Sequence, residues 1–167
     1  MLCTVPNHTW TIEAYQRLSQ RYAMLKNVMR YVSVVLGLAM AWNITNPGVW
    51  ILFYPNAVIT KVASLSSSAS VFGYMWVFLG SCLIPYILCN ILGVTRKAAL
   101  EPCTRLACLA TAGGAILWGF LAWLSRDLDY GTLVYLFGTN AALDLLVSLV
   151  LAVSVNEHQK LTAEEAK

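Results

Sequence analysis

Within the stretch "GTNAALDLLVSLVLA", residues 138 to 152, an aspartate lies among some of the most apolar residues of the chain. Asp144 could do one of two things there. An intramembrane carboxylate can carry protons or cations along a pathway, or it can hydrogen-bond to a neighbouring helix. In its charged form it costs about 2.5 to 3.5 kcal/mol at the centre of a membrane helix, and a protonated, hydrogen-bonded form lowers that cost. On a helical projection, Asp144 and Ser148 lie about 40° and about 80° round from Asn140. Leu143, Leu146, Leu149, Val150 and Val153 occupy the opposite side. Asn140, Asp144 and Ser148 thus form an inward-facing polar stripe. Its expected partners are Asn140 itself, Ser33, Ser81, Tyr86, Asn90 or a group on another subunit.

Other reactive residues form no comparable constellation. His8 and His158 lie at opposite ends, so neither a Ser–His–Asp arrangement nor a histidine–carboxylate metal motif can be assembled. The five cysteines, Cys3, Cys82, Cys89, Cys103 and Cys108, show no paired pattern that implies a disulfide framework. The Cys103–Cys108 spacing without a nearby histidine is a weak zinc or haem signal. Asp127 and Asp129 read as a solvated turn. No Gly-rich phosphate loop is present. The expectation is a non-enzyme with no metal and no cofactor.

The elements that must position Asp144 follow from composition. Of 167 residues, 59% are hydrophobic and 11% charged, against about 25% charged in soluble domains. A domain this small needs a polar coat in water, and lipid can replace it. The fold class expected is therefore an all-α integral membrane protein: four transmembrane helices in a small bundle, preceded by an amphipathic N-terminal helix.

Residues 1–27 read as that juxtamembrane helix, with Thr9 or Thr11 as its cap. Ile12, Tyr15, Leu18, Tyr22, Leu25 and Met29 share one face. Arg17, Arg21, Lys26 and Arg30 supply positive charge suited to anionic lipid head groups, or to a protein partner. The first apolar run starts too late for a usual cleavable signal peptide. Spans are expected at about 28–44, 71–94, 106–124 and 132–155, all long enough to cross the hydrocarbon, the first only marginally and continuous with the amphipathic helix. "NPG" at 46–48 should end the first. Residues 49–63 read as an interfacial or re-entrant elbow with Trp50, Phe53 and Tyr54 at the interface, and 156–167 as a frayed cytoplasmic tail. The sequons at Asn7 and Asn43 read as chance.

Two packing features stand out. In the third span, Cys108, Ala112, Ala115, Gly119 and Ala122 form a small-residue seam along which a neighbour can approach, so Gly119→Leu should block assembly. Pro85 leaves the Ser81 carbonyl without its helical donor and should kink the second span.

Nine Lys and Arg residues fall at the two termini and the second loop, against two in the other loops. The positive-inside rule then places both termini in the cytoplasm, with a bacterial inner membrane as the expected location. Expected partners are the lipid bilayer and other membrane proteins or a second copy of the chain, not nucleic acid. The functional expectation is an accessory, assembly, exclusion, immunity or regulatory protein. The alternative is an oligomeric transporter or channel with Asp144 on a proton or cation pathway.

Overall fold

A computed structural model of the chain describes residues 8–94, 96–126 and 131–165. It contains six helices among these residues and no strand: α1 (His8–Phe53), α2 (Val58–Ala63), α3 (Ala69–Ser81), α4 (Ile84–Leu92), α5 (Lys97–Ser125) and α6 (Gly131–Glu165). Four stretches are long and apolar enough to cross a membrane: Tyr15–Phe53, Ala69–Leu92, Ala98–Ser125 and Gly131–Val155. Asp127, Asp129, Cys3 and Asn7 lie outside the described residues.

The amphipathic N-terminal segment and the first span are continuous, as expected, but the helix does not stop at "NPG". Residues 8 to 53 form one uninterrupted helix, which starts ahead of Thr9 and Thr11 and runs through the expected stop at Pro47. Pro47 has no N–H to give to the Asn43 carbonyl, yet the helix continues. In an apolar setting a broken turn would orphan further backbone groups. Two side-chain features brace the passage. Trp50 Nε1 donates to Asn46 Oδ1 at 2.8 Å, one turn across the proline, and the ring of Pro47 is fully buried.

The segment expected as an elbow is divided between elements. Residues 49–53 complete α1, a turn follows, and α2 folds back against it. The Thr60 hydroxyl lies 3.0 Å from the Trp50 carbonyl and 2.8 Å from the Tyr54 carbonyl, which also accept the Tyr54 and Ala57 N–H groups, and so ties α2 to the end of α1. Val62 and Ala63 of α2 are fully buried.

The second apolar segment is two helices in series. α3 ends at Ser81, Cys82 and Leu83 form a turn, and Pro85 sits in the first turn of α4. Proline belongs there, because the first N–H groups of a helix have no internal partner. α4 ends at Gly93, whose φ of 67° is the left-handed cap that glycine adopts readily.

The third helix starts earlier than expected, at Lys97, and the fourth extends through the polar tail to Glu165. The helices pack chiefly as two pairs, α1 with α3 and α4, and α5 with α6. An aromatic cluster links the pairs. Trp76 of α3 meets Trp118 of α5 edge-on at 4.9 Å between ring centroids, and Trp118 meets Phe137 of α6 at 5.4 Å. All three rings are buried.

Candidate functional site: a buried carboxylate between three helices

α6 turns the two sides of its polar stripe in different directions. Asp144 is 0% exposed and Ser148 is buried, whereas Leu143, Leu146, Leu149, Val150 and Val153 all lie on the open surface. Asn140 does not join them. Its amide donates to the Leu136 carbonyl at 3.0 Å, one turn back on its own helix, a common use of short polar side chains inside helices.

The partner of Asp144 is Asn43 of α1. Its Nδ2 donates to Asp144 Oδ1 at 3.0 Å, across 101 positions of sequence. Three of the other candidates expected from sequence, Ser33, Ser81 and Asn90, are occupied on their own helices. The Ser33 hydroxyl donates to the Met29 carbonyl at 3.0 Å, that of Ser81 to the Phe78 carbonyl at 2.6 Å, and the Asn90 amide to the Tyr86 carbonyl at 2.9 Å. Asn43 escapes this pattern and bonds between helices instead.

The other carboxylate oxygen, Oδ2, is buried without a hydrogen-bond partner among the described residues. It faces Gly114 of α5, where a Cβ would come within 2.6 Å of it and 3.1 Å of Ile44. Gly114 is therefore the residue that makes room for the carboxylate. Three helices meet at this point: α1 supplies the donor, α6 the acceptor and α5 the space.

One turn along, Ser148 Oγ donates to the Cys108 carbonyl at 3.1 Å, and Cys108 Sγ lies 3.4 Å from the Ser148 carbonyl. This joins one end of the expected small-residue seam to α6. The seam does not extend to Gly119, which is exposed, with open space where a side chain would go. Ala112, Ala115 and Ala122 are half-buried. Closest approach occurs elsewhere, between α1 and α3. A Cβ on Gly48 would meet the Gly73 carbonyl oxygen at 2.6 Å, one on Gly73 would meet Leu52 at 2.7 Å, and one on Gly80 would collide with Thr45.

Of the four basic residues on α1, Arg17, Arg21 and Lys26 are exposed. Arg30 is half-buried and donates through Nε to the Asn90 carbonyl and through Nη2 to the Ile91 carbonyl. It thus caps the carbonyl end of α4, where a cation also suits the helix dipole.

No group of three or more His, Cys, Asp and Glu side chains that could hold a metal occurs among the described residues. Comparison with known proteins finds no matching family, no matching curated protein and no matching solved structure.

Proposed function

We propose that this chain is a small integral membrane protein, its four apolar segments crossing the bilayer as a bundle, that acts non-enzymatically through helix contacts with other membrane proteins. The observation that carries this reading is the start of α1. Every residue from Tyr15 to Met29 is exposed, including the large apolar side chains of Tyr15, Leu18, Tyr22, Leu25 and Met29. This stretch of helix offers apolar groups beside Arg17, Arg21 and Lys26. Contiguous exposed apolar surface marks contact with lipid or protein, and a basic, amphipathic segment suits both. By the distribution of Lys and Arg, this stretch and the C-terminus lie on the cytoplasmic side, with a bacterial inner membrane as the setting.

The test is co-purification with the full chain and with Tyr15, Leu18 and Tyr22 all changed to Ser. A defined stoichiometric partner should be retained by the first and lost by the second, with unfolding unchanged. A chain that purifies alone, or a partner held equally by both, would overturn the reading.

Transport through an oligomer is the alternative, and one observation favours it: Asp144 Oδ2 is buried without a partner. Burial of the whole side chain against Gly114 and Ile44 weighs on the other side. Asp144→Asn keeps shape and hydrogen bonding and removes titration. Proton- or cation-linked flux abolished by that change, with assembly intact, would establish transport.

A further inference from the structure

Cys89 of α4 and Cys103 of α5 place their sulfurs 3.4 Å apart. Their helices are consecutive in the chain, with only four residues, 93–96, between them. Both are free and half-buried. They are not equivalent. Cys89 lines a groove of about 640 Å³ between α1 and the end of α4, and Cys103 does not.

The other walls of that groove define what can enter. Lys26, Asn27, Arg30, Ser33 and Asn90 line it, with no Asp or Glu among the described residues. Arg30 is fixed there by its bonds to the Asn90 and Ile91 carbonyls. Its Nη1 appears in neither bond and can meet a ligand. The volume falls within the ordinary range for small-molecule sites. An electropositive, partly open surrounding is also what distinguishes reactive cysteines from inert buried ones.

We propose that Cys89 and Cys103 form a dithiol site that reacts with a small anionic disulfide of the glutathione class, Cys89 as the attacking thiol and Cys103 as the resolving one. This goes beyond the interaction role and does not depend on it. In the first step Cys89 Sγ bonds to one sulfur of the disulfide. The S–S bond of the substrate breaks, and the departing thiolate takes up the proton that Cys89 lost. In the second step Cys103 Sγ attacks Cys89 Sγ, and the second substrate thiolate leaves and takes the Cys103 proton. Two protein thiols are oxidised and one substrate disulfide is reduced to two thiols, so atoms and electrons balance. The product pins α4 to α5 beside the groove.

The experiment treats the full chain, in lipid nanodiscs, with glutathione disulfide and maps the cysteines by peptide mass spectrometry after alkylation. The wild type should yield a Cys89–Cys103 crosslink while Cys82 and Cys108 remain alkylated. Cys103→Ser should accumulate one glutathione on Cys89, and Cys89→Ser should leave Cys103 unmodified. Lys26→Glu should slow the reaction several-fold with glutathione disulfide and leave it unchanged with the neutral bis(2-hydroxyethyl) disulfide. Glutathione on Cys103 in the Cys89→Ser chain, or crosslinks that involve Cys82 or Cys108 at equal rates, would overturn the proposal. Equal slowing with both reagents would overturn the role of the basic groove.

Discussion

The two helix pairs hold together by different means. Between α1 and α3 the backbones approach so closely that Gly48, Gly73 and Gly80 have no room for a Cβ. Between α5 and α6 the contact runs chiefly through side chains, with Phe137 against Trp118 and Ser148 against Cys108; Gly114 is closed off by Asp144, while glycines at 119 and 138 face open space. Where lipid removes the hydrophobic drive between helices, both close approach and polar contact can supply the association. This molecule uses one in each pair. Glycine therefore sets the spacing at three positions between α1 and α3, and between α5 and α6 only where Gly114 makes room for Asp144.

Trp118 connects the pairs, and its removal should have the largest effect. Trp118→Ala takes a buried ring from between Trp76 and Phe137, and should cost about 3 to 5 kcal/mol in reversible unfolding from detergent micelles. A loss confined to the α5–α6 pair, with Trp76 still in its native environment by fluorescence, would show the pairs to be independent.

Gly80→Leu comes next. Any side chain there meets Thr45 and its backbone on α1, and overpacking of this kind costs about 1 to 3 kcal/mol. Cysteine crosslinking between α1 and α3 should fall in the same variant. A variant with wild-type crosslinking would mean that the close approach is dispensable.

The polar contact is tested by Asp144→Leu against Asp144→Asn. Leucine leaves the Asn43 amide buried without an acceptor, at about 1 to 3 kcal/mol, whereas asparagine retains one and should stay close to wild type. Equal losses would show that Asn43 is not the group that matters.

The smallest effect is expected at Gly119. Because its side-chain direction is open, Gly119→Leu should shift stability by no more than about 0.5 kcal/mol. A large loss would restore the seam that the sequence suggested, and would require a neighbour from a second chain.

That reversal shows what a sequence of this kind discloses. Four stretches long and apolar enough to cross a membrane follow directly from hydropathy. Which side of α6 carries Asp144 and Ser148 follows from a period of 3.6 residues, because greasy and polar positions segregate within one helix. Properties that belong to two helices are harder to read. Alanines and glycines at steps of three and four run along α5, while α1 and α3 carry sparser rows, Gly37, Ala41 and Gly48 on one and Ala69, Gly73 and Gly80 on the other. Composition does not say which of these surfaces another backbone meets. The Asn43–Asp144 bond was hidden for the same reason, since it joins positions 101 residues apart. Asn43 also sits in "NITNPG", where the proline suggested an end to the helix. A Pro signal is local and misleads where tertiary packing braces the turn: Trp50 bonds to Asn46 across the buried Pro47, and α1 runs on to Phe53.

The unbroken course of α1 has a mechanical consequence. At about 1.5 Å per residue, its 46 residues make a rod of about 70 Å, more than twice the thickness of the hydrocarbon. Nothing along it serves as a hinge, because the one proline is braced and buried. A partner that pulls on Tyr15 or Tyr22 therefore exerts torque on Asn43, about 30 to 45 Å away, and through it on Asp144. The exposed end is a lever whose short arm is the buried carboxylate contact.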